Sequence, residues 1–213
     1  LLAGPGRLVL AAGSTHPGEE ETLQRIAGEL RRRTGRSIRL LVAPRHPERA
    51  PALAGALAQL GARVGRLTEA RAGRVRAPLA PETTLLVDTI GDLERAYSVA
   101  DLVFVGGSLA QRGGQNMLEP AAMARPVLCG PHTWNFRADV ELLLAARAAV
   151  QVPGEAELLA ELERFVETPA LARELGAKAR EFILAHKGAT ERTLAELQEA
   201  GLLQTGPDSP PAA

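Results

Sequence analysis

One cysteine, one tyrosine, one tryptophan and four phenylalanines are all that the 213 residues hold of these types. A single thiol excludes an internal disulfide framework and suits a reducing compartment. So few rings leave little for base stacking or for an aromatic sugar platform. Net charge is lacking as well: 25 basic residues cancel 25 acidic ones, so no cationic surplus argues for nucleic acid. No apolar run approaches the roughly 18 residues of a membrane span, and the opening residues do not read as a secretory leader. Two nucleotide fingerprints are missing. No G-x-G-x-x-G follows the first predicted strand and no G-x-x-x-x-G-K-[ST] occurs, which lowers the NAD(P) and NTPase readings. His16, His46, His132 and His186 are scattered without metal-ligand spacing, so nothing calls for a metal. Cys129 ends an apolar run and reads as packed core.

What is present suffices for a substantial core. At 46% hydrophobic residues, the chain makes one large domain or two small ones. It opens at Leu1 rather than Met, which reads as a piece of a longer protein. Short apolar runs at residues 7–12, 38–43, 62–66, 84–87, 102–105, 126–129 and 149–152 predict strands. Helical patterns lie between them. Glu19, Glu20 and Glu21 open the first helix, acids first, as the helix dipole favours, and Leu23, Ile26, Ala27 and Leu30 give it one apolar face. Residues 48–60 predict a second helix stopped by Gly61, and helices follow near 92–100, 119–125 and 137–146. Leu158, Leu159, Leu162, Phe165 and Val166 stripe the next. Thr168-Pro169 reads as an N-cap with proline in first position, ahead of a stripe from Leu171 to Ile183. A last helix is expected over about 189–203, then a disordered tail at 205–213. Residues 67–81, with Arg71, Arg74 and Arg76, read as a loop, either solvated or in contact with phosphate. Strands alternating with helices predict one Rossmann-like α/β domain over 1–204, an open parallel sheet with helices on both faces.

Residues 101–136 organise the whole. An apolar run stops at Gly106-Gly107-Ser108, a glycine-bearing polar loop follows, a short helix opens on Glu119-Pro120, and a second apolar run ends at Gly130-Pro131. Polar clusters also close the earlier strands, at 13–20, 44–49 and 88–92. In a parallel sheet these clusters share the carboxyl edge, where ligands bind. Loop amides and helix N-termini there suit an anion, and carboxylates suit sugar hydroxyls. The pattern predicts a nucleotide-sized ligand.

The strings GSTHPGEEE (13–21), PRHPER (44–49), DTIGDL (88–93), FVGGS (104–108), GGQNMLEPAA (113–122) and GPHTWNF (130–136) together resemble the 3-deoxy-D-manno-octulosonic acid (Kdo) transferases. These are inverting glycosyltransferases of the two-Rossmann-domain (GT-B) type. Six motifs agree in order and spacing and cover nearly all the chain except its tail. The resemblance is to the C-terminal half, which holds CMP-Kdo. It implies that Pro44 and Arg45 bind the donor, a guanidinium being suited to forked bonds with phosphate or carboxylate. Ile90, Gly91 and Asp92 stand where the family has Met-Gly-Glu and imply contact with base or ribose, or else merely begin a helix. Asn116, Met117, Leu118 and Glu119 match Asn-x-Leu-Glu. Glu119 is then a ribose acceptor, and the amides before it face the phosphate. Gly106, Gly107 and Ser108 either clear space for the sugar or make a tight turn. Ser14, Thr15, His16, His132 and Asn135 either face the interdomain cleft or pack their loops. His46 and Arg49 brace the Pro-Arg loop.

One departure bears on chemistry. Gln115 stands where the family has histidine, and an amide hydrogen-bonds but does not titrate near neutrality. The resemblance further implies that membrane association, the lipid A precursor site and the carboxylate general base belong to an N-terminal half absent from this sequence. No catalytic residue is therefore assigned here, no cofactor is implied, and the fragment is expected to be soluble. The parent would act at the cytoplasmic face of the bacterial inner membrane. Two other readings stand beside it: another GT-B transferase or UDP-sugar epimerase domain, and a non-catalytic nucleotide-binding module.

Overall fold

The computed structural model describes residues 7–74, 79–80, 82–186 and 200. The expected helix over 189–203, the tail and Arg76 lie outside the described residues, apart from Ala200. The first half runs β1 (Arg7–Thr15), α1 (Glu19–Thr34), β2 (Ser37–Pro44), α2 (Ala50–Gln59), β3 (Val64–Arg66), α3 (Leu67–Arg71), β4 (Thr84–Leu86) and α4 (Leu93–Ser98). The second runs β5 (Leu102–Val105), α5 (Leu118–Ala122), β6 (Val127–Cys129), α6 (Arg137–Ala145), β7 (Val150–Gln151), α7 (Glu155–Glu167) and α8 (Pro169–Ala185). The predicted alternation is present in order.

Among the described residues the seven strands form one sheet, ordered β3-β4-β2-β1-β5-β6-β7. Every pairing is parallel. Because side chains alternate across a strand, the central strands feed two separate cores. Leu10, Ala12, Leu40 and Val42 pack with Leu23, Ile26 and Leu30 of α1 and with Leu158, Leu162 and Phe165 of α7. Val9, Ala11, Leu41 and Val103 pack on the opposite face with Tyr97 of α4, Ala121 of α5, Val140 of α6 and Ala179 of α8. Continuous apolar strands are what a sheet covered on both faces requires. Arg39 interrupts β2 yet is fully buried, its guanidinium donating to the carbonyls of Leu79 (3.0 Å) and Ala80 (2.7 Å). It thus ties the segment after α3 to the sheet.

The strand order reverses at β1. Its successor in sequence, β2, lies on one side, while β5 lies on the other. The crevice at such a reversal, beyond the carboxyl ends of the strands, is where open α/β sheets hold ligands. The chain is irregular at that spot. Register shifts between Gly13 and Thr15, and Ser14 sits at φ 52°, a left-handed conformation unusual for a residue with a side chain.

One expectation fails locally. Residues 67–71, read as loop, form α3, and Arg71 on it is neither solvated freely nor aimed at a ligand. Its guanidinium makes a forked bond to Asp92, at 2.7 and 2.8 Å. A five-residue helix is too short to announce itself by periodicity. Thr168 does occupy the N-cap of α8 with Pro169 next, but its hydroxyl makes no capping bond.

Candidate donor-binding cleft at the carboxyl edge of the sheet

The loops after β1, β2, β4 and β5 converge as the sequence predicts. Ser14, Pro44, Arg45, His46, Ile90, Gly91, Gln115, Asn116 and Glu119 line one cleft of about 490 Å³, with Phe136 at its side. That size suits a nucleotide. Each wall is set by local structure. The amide of Arg45 donates to the Thr15 carbonyl (2.9 Å), which carries the β1–β2 ladder past the bulge and leaves the guanidinium exposed at the rim. Gly91 lies at φ 84°, a conformation glycine adopts without steric cost, and it turns Ile90 outward until 93% of that residue's surface is exposed. Asn116 bridges the start of α5, its amide donating to Glu119 (3.0 Å) and its carbonyl accepting from the Leu118 amide (3.0 Å). Glu119 is thereby fixed at the cleft's edge.

Five predicted residues, Leu118 among them, lie outside the cleft lining. Asp92 is buried behind the 89–91 turn, at 5% exposure, and its oxygens accept from Arg71, from the Thr89 hydroxyl (2.6 Å) and from Arg95 (3.1 Å). Chiefly the Arg71 bond, then that of Thr89, holds its carboxyl far below the ordinary carboxylate range. Asp92 therefore acts on the turn and not in the cleft. Met117 is core, 1% exposed and packed on the α5 face. Gly107 and Ser108 also lie outside the cleft lining. The Ser108 hydroxyl donates to the Val105 carbonyl (2.6 Å) and accepts from the Gly130 amide (2.8 Å), which staples the ends of β5 and β6. Of the amides assigned to phosphate, that of Leu118 already serves Asn116.

Two carboxylates that sequence reading gave only a dipole role are structural anchors. Glu19, 3% exposed, accepts from the amides of His16 (2.9 Å) and Gly107 (2.8 Å) on one oxygen. Its other oxygen accepts from Ser108 (3.0 Å), Leu109 (3.0 Å) and Ala110 (3.1 Å). Glu20, fully buried, accepts from the Thr15 hydroxyl and from Arg49, both at 3.1 Å. Arg49 thus braces the loop after β2, while the His46 and His16 rings lie nearly perpendicular with centroids 6.1 Å apart. Nothing in the spacing of Glu19, Glu20 and Glu21 marks the first two for burial, since acids in a first helical turn ordinarily face water. His16 in turn lies 3.4 Å from the Gln115 amide nitrogen. Burial holds its imidazole below the usual histidine value, a nearby Glu19 opposing the shift.

Among the described residues no helix is long and apolar enough to cross a membrane. No protein-family model matches the chain. Several Kdo transferases do: that of Bordetella pertussis is 36% identical over 197 residues, 91% of this chain and 45% of its own length. That of Haemophilus influenzae is 33% identical over 88% of this chain and 43% of its own length. The chain thus spans under half the length of these curated relatives. Among solved structures, the C-terminal CMP-Kdo binding domain of WaaA from Acinetobacter baumannii superposes with a TM-score of 0.75 at 26% identity, covering 84% of this chain and 90% of that one. The C-terminal domain of the glycosyl transferase LpcC from Francisella tularensis, at 14% identity and a TM-score of 0.57, shares the fold. With matched motifs, order and architecture in agreement, the chain is a homologue of the 3-deoxy-D-manno-octulosonic acid transferases and has the Rossmann-like fold of their C-terminal, GT-B-type domain.

Proposed function

We propose that this chain is the donor-binding domain of an inverting glycosyltransferase that moves Kdo from CMP-Kdo to a lipid A precursor in lipopolysaccharide assembly. The observation that carries this reading is the convergence of Arg45, Gly91 and Glu119, from three separate strand ends, on one nucleotide-sized cleft. Arg45 supplies forked donors for the phosphate or for the Kdo carboxylate. Glu119, oriented by Asn116, accepts from ribose hydroxyls. Ile90 and Gly91 give the base an apolar edge and a close backbone. Asp92 serves by holding that turn. Residues 1–204 act as this one unit, with acceptor site and membrane contact in another part of the full enzyme, at the cytoplasmic face of the inner membrane.

Inverting transfer needs a base to take the proton of the attacking hydroxyl on the face opposite the departing CMP. Gln115 cannot be that base, and on this reading the role falls to the other half of the enzyme. The domain's share of the reaction is to hold the leaving group and its charge. Isothermal calorimetry with CMP and UDP tests the reading. CMP should bind, Arg45→Ala should weaken it by roughly tenfold or more, as loss of a charge-assisted bond implies, and Arg45→Lys should restore only part. Preference for UDP would replace this reading with another GT-B transferase or epimerase. Inactivity in Kdo transfer after joining the chain to a base-bearing half would favour a non-catalytic module.

A further inference from the structure

At the β1–β5 reversal, four successive amides, those of Gly107, Ser108, Leu109 and Ala110, turn toward one point, and the His16 amide joins them. Consecutive amides pointing inward make an anion nest. A nest at the reversal point, beside the N-terminus of a long helix, is where this class of sheet ordinarily receives a ligand's phosphate. Here the chain fills it itself. Both Glu19 oxygens are engaged by amides at 2.8–3.1 Å, and the residue is buried to 3% exposure. The nest adjoins the cleft. A Cβ on Gly106 would meet the Ser14 carbonyl at 2.6 Å and Glu19 at 2.9 Å, and one on Gly107 would meet Gln115 and His16 at 3.4 Å. Ser14 and Gln115 line the cleft.

We propose that Glu19 is a built-in anion which fills the amide nest at the β1–β5 reversal and thereby confines the cleft to ligands carrying one phosphate. A nucleoside diphosphate would bring its second phosphate to amides already bonded and to a carboxylate of like charge. The single phosphate of a nucleoside monophosphate is left to Arg45, on the other side of β1. This inference rests on the nucleotide reading of the cleft and adds to it the number of phosphates accepted. Glu19 is a specificity and positioning residue and takes no part in bond making.

The test compares CMP with CDP, by calorimetry, in the wild-type chain and in Glu19→Ala. Thermal unfolding of both in increasing inorganic phosphate or formate is read alongside. In the wild type CDP should bind no more tightly than CMP, and the rise of unfolding temperature with either anion, through Arg45 and general exclusion of the salt, sets the baseline. In Glu19→Ala the vacated nest should take either anion and raise that temperature with concentration beyond the wild-type baseline. CDP should then gain roughly tenfold or more over CMP. A wild type that binds CDP far more tightly than CMP overturns the proposal, and so does a folded Glu19→Ala no more responsive to either anion than the wild type, with an unchanged CMP-to-CDP ratio. Should Glu19→Ala fold only when refolded in phosphate, the proposal is supported. Should it not fold at all, Glu19→Gln takes its place, and an unchanged ratio there overturns it. Failure of the wild type to bind CMP would sink the nucleotide reading, while the small-anion experiment would still judge Glu19.

Discussion

Arg71 grips Asp92 with two nearly equal bonds, 2.7 and 2.8 Å, so that the short helix after β3 holds the turn after β4. A second tie runs in parallel, from the Thr68 amide to Asp88 at 2.9 Å, with the Thr68 hydroxyl on the same carboxylate. Both acids of the 88–92 turn are therefore occupied by α3, and what the turn presents to the cleft is Ile90 and the Gly91 backbone. Arg71→Met keeps the aliphatic stem and removes the fork. CMP affinity should fall, because a contact set loosened by about 1 Å loses much of its effect. The unfolding temperature should fall too, because buried Asp92 loses its chief partner; affinity is therefore compared well below the variant's transition. Unaltered CMP affinity by calorimetry would detach α3 from the site. The Asp92 carboxyl is held far below 3.8, its ordinary value. A depressed folded value stabilises above the unfolded one and is lost only as pH falls through the folded value, so this clamp should persist through mild acid.

Glu20 behaves in the opposite sense. Its carboxyl is raised above 4.5 by burial, against the lowering effects of Arg49 and Thr15, and one of its oxygens is buried without a hydrogen-bond partner. A carboxyl that holds its proton more tightly when folded contributes stability below the unfolded value. That contribution is lost as pH rises from about 4.5 through the raised folded value. Glu20→Gln carries an uncharged group at all pH, so its stability relative to wild type should climb with pH across that window. Urea unfolding at several pH values measures it, and a difference that shrinks as pH rises would contradict the assignment.

Why the carboxyl edge was legible in the sequence while these acids were not is a matter of range. Strand ends in a parallel sheet share an edge by topology alone, so apolar runs closed by polar clusters at 13–20, 44–49, 88–92 and 106–119 suffice to bring Arg45, Gly91 and Glu119 together. Four of the five amides on Glu19 lie 88 to 91 residues away, and Arg71 finds Asp92 across 21. No periodicity encodes such pairings. An acid in a first helical turn, or an arginine in a loop-like stretch, looks solvated until a distant amide or carboxylate is placed against it. Met117 failed for the converse reason. It stands inside a binding motif, but the α5 register turns its side chain into the core.

Cys129 was legible. It is fully buried at the end of β6, and burial pushes its thiol up to about 12. The thiolate is the reactive form, so iodoacetamide at neutral pH should label the native chain only through opening of the fold. Labelling should become rapid in denaturant and should slow further in the presence of CMP, which favours the closed state. Prompt native labelling, followed by mass spectrometry, would show that β6 is not packed as described.

Gly13 and Gly28 make opposite demands on a methyl group. Gly13 ends β1 beside the bulge, and an added Cβ would lie 1.9 Å from the hydroxyl of Tyr97, itself 1% exposed within the core under the cleft. Neither the strand nor a buried ring can retreat that far without disturbing its neighbours, so Gly13→Ala should cost about 1–3 kcal/mol as overpacking. Displacement of Tyr97, whose α4 begins next to Asp92, should also weaken CMP binding. Gly28 lies in the middle of α1, exposed, with nothing within 4 Å of an added Cβ. There the methyl only removes backbone freedom from the unfolded chain, and Gly28→Ala should stabilise by roughly 0.5–1 kcal/mol with CMP affinity unchanged. Chemical denaturation of the two variants reads both signs in one experiment. If Gly13→Ala proved as harmless as Gly28→Ala, the contact between the end of β1 and Tyr97 would be wrong, and with it the support beneath the cleft.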